Sequence, residues 1–307
     1  MSVLKSASNP TIIRELYDAF TVDGMSLMDV VWEQQRYHES RRWSVVDFFD
    51  RIDPDAVSDR DKVVAWNAGR AELTTKPGAD RLTRLADKET RAWSSKNPVV
   101  ANIMQACGTW SRYWNEEEAF HETSLNMLAQ RLGMPIVDDE TFIEYRKVFP
   151  DDDMLRTLTL LAGSEIVAAT NYSWAAESAE DPALQEMFRR ISSDEIQHMT
   201  YFVSFARALV RSGEYPAKNA FAVGYLFLRN EGELAGSSRE TIESRGNTHV
   251  NWWDHLENLD DMPAVDLQPA NEKKTSMFLV ALKRITGIEV ASVDEVEAKW
   301  MELAAAA

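Results

Sequence analysis

Three apolar helical seams in this chain are each interrupted at their middle by groups that belong in water, and that conflict restricts what the chain can fold into. Counting from Val100 in alternating steps of four and three gives Val100, Met104, Cys107, Ser111, Trp114, Glu118, His121, Leu125, Leu128 and Leu132. From Leu184 the count gives Leu184, Phe188, Ile191, Glu195, His198, Phe202, Phe205 and Leu209. From Met154 it gives Met154, Leu158, Leu161, Glu165, Ala168, Tyr172 and Ala175. Residues at this spacing share one face of a helix and meet its neighbours, so Glu118, His121, Glu165, Glu195 and His198 are directed at an interior.

An unpaired carboxylate taken out of water costs several kcal/mol or is forced to protonate. Three glutamates and two histidines in one core are therefore hard to explain as packing, whereas two divalent metal ions at the centre of a bundle resolve the conflict. Glu and His at i and i+3 project from the same helix face, so each pair can grip one ion and leave a carboxylate oxygen for its neighbour. The matching arrangement is a four-helix di-iron carboxylate site, with one Glu from each of two helices and Glu-x-x-His from each of the other two. Glu118-x-x-His121 and Glu195-x-x-His198 are the two pairs, and Glu165 is one of the singles. The fourth helix is expected before Val100, and Glu72 is preferred because Val64, Ala65 and Ala68 precede it on a small, apolar inward row. Glu89 competes, but it belongs to a segment dense in charge. Four glutamates and two ferrous ions would sum to a neutral site. His38, His249 and His255 lack this context and read as surface or packing residues.

Glycine (12) and proline (10) are scarce and no run alternates apolar with polar residues, so the fold class is all-α. Helices are expected near Pro10–Phe20, Ser26–Tyr37 and Asp59–Thr75, the last stopped by Lys76-Pro77-Gly78, and then from a cap at Asp80 to Ser94. Further helices are expected over about 98–132, 153–178, 182–211, 217–245, 273–286 and 293–305, with a loop over Asn258–Asn271. One domain is expected: a helical arm over 1–58, the site-bearing core over 59–211, and C-terminal helices over 212–307. Acidic residues number 50 against 33 basic ones, a net charge of −17 that opposes binding to nucleic acid or an anionic membrane. Cys107 is the single cysteine, so no internal disulfide and no cysteine-based metal site is expected. No apolar stretch approaches a membrane span and no signal core opens the chain, so a cytoplasmic protein is expected.

The run Trp110-Ser-Arg-Tyr-Trp114-Asn-Glu-Glu-Glu118-Ala-Phe-His121, followed by Leu125-Asn126, resembles the first metal-binding helix of the soluble acyl-[acyl carrier protein] desaturases. Asp194-Glu195-Ile-Gln-His198 resembles that family's second metal helix. The likeness covers roughly residues 60–210 and implies a ferritin-like four-helix bundle core with added N- and C-terminal helices. It implies Glu72, Glu118, His121, Glu165, Glu195 and His198 as ligands of two iron ions, although Ala71 stands where plant members have a second glutamate. It also implies that Asp194 orients a ligand histidine and that Trp114 packs near the cluster. Plant members carry a threonine three residues after the lone glutamate; here that position is Ala168, with Thr170 directed to the opposite face.

The resemblance implies O₂-dependent introduction of a double bond into an acyl chain, with an acyl carrier protein as partner, a ferredoxin-like electron donor and a homodimer. Ala168 leaves open a hydroxylase or N-oxygenase of specialised metabolism, and a non-catalytic iron-binding or scaffold relative is the alternative of another class. Arg81, Arg84, Lys88 and Arg91 recur along one helix face and are the candidate docking patch for an acidic carrier, against the plainer reading of a solvated face balanced by Asp87 and Glu89. Phe221–Leu228 reads as core or as the lining of an acyl tunnel, and Trp252 and Trp253 as the cover of an interface or pocket mouth. Tyr113 and Tyr172 are assigned no radical role.

Overall fold

The computed structural model describes residues 11–72, 75–134, 152–229 and 268–306, and every described element is helical. In chain order these are α1 (Thr11–Thr21), α2 (Leu27–Arg41), α3 (Val46–Phe49), α4 (Asp59–Glu72), α5 (Thr75–Trp93), α6 (Pro98–Arg131), α7 (Met154–Ser178), α8 (Pro182–Arg211), α9 (Lys218–Arg229), α10 (Gln268–Thr286) and α11 (Val293–Ala305). The class is all-α, and among the described residues no helix is long and apolar enough to cross a membrane.

The three long helices start where local chemistry starts them. Asn97, Asp153 and Asp181 each accept a backbone N–H of the first turn, and Pro98 and Pro182 open α6 and α8 where a missing N–H costs nothing. Ala179, Glu180 and Asp181 alone join α7 to α8, and the two helices form the most extensive pairing in the fold. A connection this short turns a helix back on its predecessor.

Two apolar clusters are stacked along this bundle. One gathers Met104, Trp110 and Trp114 of α6, Leu158 and Leu161 of α7, and Phe202 and Phe205 of α8. The other gathers Ala65 and Trp66 of α4, Leu125 and Leu128 of α6, Tyr172 and Ala175 of α7, and Phe188 and Ile191 of α8. α6 and α7 therefore run from the first cluster to the second, and α8 runs the other way. The interrupted centres of the seams lie at the waist between them. Every seam residue of α6 and α8 is buried, and of the α7 seam only Ala168 is partly exposed.

Several boundaries differ from expectation. Lys76-Pro77-Gly78 ends no helix: α4 stops at Glu72 and α5 begins at Thr75, with Pro77 inside its first turn, where proline is tolerated. Asp80 does not cap α5 but lies within it, paired with Lys76 at 3.2 Å. The short α3 has no counterpart in the periodicity. α9 is described only to Arg229, and α10 begins at Gln268, inside the stretch read as a loop. The rest of that stretch, His249, His255, Trp252 and Trp253 lie outside the described residues. Phe221, Val223, Phe227 and Leu228 are core: Phe227 stacks on Phe278 at 4.4 Å, and both rings crowd Gly163 of α7, where an added Cβ would meet them at 2.8 and 2.9 Å.

Candidate metal centre

The waist brings together all six residues expected there. Glu72, Glu118, His121 and Glu195 form one group of four donors within 4.8 Å of one another, and Glu118, Glu165, Glu195 and His198 form a second. Both groups are buried, and they share Glu118 and Glu195. Four helices supply them: α4, α6, α7 and α8. Glu89, the competitor of Glu72, is elsewhere, accepting hydrogen bonds from Trp93 and Tyr215.

The two imidazoles are oriented alike. His121 turns Nδ1 inward, 3.2 Å from Glu195 and 3.6 Å from Glu118, and Nε2 outward to Asp194 at 3.3 Å. His198 turns Nδ1 inward, 2.9 Å from Glu118 and 3.2 Å from Glu195, and Nε2 outward to Glu117 at 2.7 Å. An outer carboxylate that takes one ring N–H fixes the tautomer and leaves the inner nitrogen's lone pair for a metal. The carboxylates are held as well. Trp114 donates its indole N–H to Glu118 at 2.7 Å, and the Tyr172 hydroxyl donates a very short hydrogen bond to Glu72.

The six buried groups shift one another's pKa values in opposite directions. Burial, and then the neighbouring carboxylates Glu118 and Glu195, push Glu72 and Glu165 well above the usual carboxylate range. Burial and the Glu195 charge also press Glu118 upward, but the two histidines outweigh them and hold it down at about 2. Glu195 is kept below its ordinary value in the same way, the adjacent His121 and His198 imidazoles overcoming burial. Burial alone would lower both histidines, yet their carboxylate partners raise them well above 6.5. Burial and charge thus divide the six groups: Glu118 and Glu195 are shifted toward the ionised form, Glu72 and Glu165 toward the protonated form, and His121 and His198 toward the cation.

These residues fit a pair of divalent cations. His121 Nδ1 and Glu195 Oε1 are buried without a hydrogen-bond partner although they face one another, the state of donors aimed at a common point rather than at each other. Oxygen and imidazole donors suit iron and its first-row neighbours.

The outer ring contains what periodicity missed. Asp194 is gripped by Arg41 at 2.9 Å and by the Trp43 indole N–H at 2.7 Å, and His121, then the Trp43 bond, hold it below its ordinary pKa against the effect of burial. Glu117 is held between His198 and His38, and His38 is buried, as the packing reading allowed, but paired. The signal was present: Val30, Gln34 and His38 recur at four-residue steps and are the buried face of α2. Tyr113 stacks on His38, while Ala168 flanks the second apolar cluster and Thr170 bonds the Ile166 carbonyl of its own helix, away from the waist.

The basic face of α5 is divided. Arg81 is largely covered and donates to Thr157, Lys88 pairs with Asp152 at 3.1 Å, and Arg84 and Arg91 are exposed. A groove of about 850 Å³ lined by Leu228, Thr275, Leu279, Lys283 and Val290 includes none of the waist residues. No family model, curated protein or solved structure matches the chain.

Proposed function

We propose that the chain is a di-iron, O₂-dependent oxidoreductase that desaturates a carrier-bound acyl chain. One observation carries the metal chemistry: two buried four-donor groups drawn from four helices and sharing Glu118 and Glu195. The acyl substrate and its carrier rest on the motif resemblance of Trp110–His121 and Asp194–His198. Two ferrous ions held by Glu72, Glu118, His121, Glu165, Glu195 and His198 would supply dioxygen activation for C–H cleavage.

The chain's own residues do the remainder. The stacked apolar clusters exclude water from the waist, which strengthens every charge interaction inside it. Asp194 and Glu117 hold the imidazoles by their outer nitrogens, and Trp114 and Tyr172 hold Glu118 and Glu72 against rotation. The overall reaction removes two hydrogens from adjacent methylenes and, with two electrons from a ferredoxin-like donor and two protons, converts O₂ to two waters. Ala168 in place of a family hydroxyl favours a second outcome, insertion of one oxygen atom as in hydroxylation.

The test is reconstitution of the full chain with ferrous iron, a ferredoxin reducing system, O₂ and a panel of acyl-carrier substrates, read by mass spectrometry. Loss of two hydrogens supports desaturation, and gain of one oxygen supports hydroxylation. Iron uptake near zero refutes both and favours a scaffold role.

A further inference from the structure

Glu117 has both carboxylate oxygens committed to ring nitrogens. Its Oε2 takes His198 Nε2 at 2.7 Å and its Oε1 takes His38 Nδ1 at 2.8 Å. Such a carboxylate cannot rotate to improve one bond without breaking the other, so the position of His38 is transmitted to the plane of His198.

His38 is itself fixed. Its ring is 6% exposed and stacks on Tyr113, with centroids 4.8 Å apart and planes 20° from parallel. The Tyr113 hydroxyl donates to Gln35 at 2.5 Å, which locks that ring in turn. The outer nitrogen of His38 lies 3.5 Å from Glu116 Oε2 and 3.5 Å from Arg42 Nη2, and Arg42 donates to Glu116 at 2.5 Å. A buried imidazole with both nitrogens placed among charged groups, on a helix that supplies no ligand, is an expensive way to pack a surface helix.

We infer that His38 is a positioning residue for the metal ion held by His198, acting through Glu117, so that the last turn of α2 forms part of the wall of the metal site. The inference rests on the metal reading above. It is also specific to one side of the waist, because His121 is oriented by Asp194, Arg41 and Trp43, none of which bonds His38. A residue that merely packed α2 in place would affect both ions together.

The experiment uses the full chain loaded with two equivalents of cobalt(II), whose visible absorption reports coordination, followed by extraction with a chelator. His38→Ala is expected to speed extraction of one ion by about 10- to 100-fold and to alter one part of the cobalt spectrum, leaving the other ion near wild type. His38→Asn, which keeps an N–H donor near the Nδ1 position, is expected to restore wild-type extraction within about threefold. His38→Gln places its donor beyond Glu117 and should behave as the alanine variant; should that variant not fold, the Gln and Asn pair carries the comparison. Equal acceleration of both ions in step with a lower melting temperature, or no change in either, overturns the role of His38 while leaving the metal reading intact. A wild-type chain that takes up no cobalt overturns the metal reading and this inference with it.

Discussion

Metal loading of this chain is expected to expel four protons, two for each divalent ion. The number follows from the waist residue by residue. Burial and neighbouring carboxylates shift Glu72 and Glu165 toward the protonated form, and carboxylate partners shift His121 and His198 toward the cation, so these four are the expected proton carriers. All four must lose their proton to present a lone pair to a metal, while Glu118 and Glu195 are already ionised. Those six residues thus sum to zero charge with four protons aboard, and to zero again with two divalent ions in their place. Two protons per ion make the affinity for each ion rise about 100-fold per pH unit while the four groups remain protonated, each proton contributing about 1.36 kcal/mol per unit. The steepness fades as the pH climbs past their raised pKa values.

Calorimetric titration with cobalt(II) in buffers of different ionisation enthalpy reads the proton count directly near pH 6. Glu165→Gln removes one of the proton carriers, so its count should fall from four to three. Release of fewer than about two protons for two ions, or an affinity indifferent to pH from about 5.5 to about 7, would refute the charge assignment of the waist.

The same shifts set the pH stability of the metal-free chain. Glu118 and Glu195 have lowered pKa values, so their contribution is present above 4.5 and is lost as the pH falls through their folded values. Glu72, Glu165, His121 and His198 have raised values, so theirs is full below 4.5 for the acids and below 6.5 for the histidines, and is lost as the pH rises through the folded values. Thermal melting in the presence of chelator should therefore peak on the acid side of neutrality, and a melting temperature that climbs steadily past pH 8 would contradict this. Gly163→Ala should destabilise by about 1–3 kcal/mol, because the new methyl meets two stacked rings rather than a flexible chain end, and denaturant unfolding measures it. Reversing Arg84 and Lys88 to glutamate should change stability by less than about 1 kcal/mol, since both are exposed and the Lys88–Asp152 pair is solvated. It should weaken binding to an acyl carrier protein, and unchanged turnover of a carrier-bound substrate would remove α5 as the docking face.

How far the site was legible depends on the distance over which each interaction acts. Glu118, His121, Glu165, Glu195 and His198 could be read because helical periodicity is local: residues three and four apart share a face whatever the rest of the chain does. The starts of the three long helices near 98, 153 and 182 were legible for the same reason, and the structure shows Asn97, Asp153 and Asp181 as the caps that set them, each bonding a backbone group two or three residues on. Pro77 misled because a proline ends one helix or opens the next according to which backbone N–H groups are already free, and the pattern alone does not say.

By itself, then, the amino-acid order determined an all-helical chain with three apolar faces, each carrying acid or imidazole groups at its middle. Only the tertiary structure decided that these middles meet at one level, that Glu72 is nearer to them than Glu89, and that Glu117 joins Asp194 as an outer support. Glu117 leaves the face of Glu118 because adjacent residues on a helix point about 100° apart, and its second partner, His38, is 79 residues away along the chain. A contact of that kind is set by how whole helices pack, which no local period encodes.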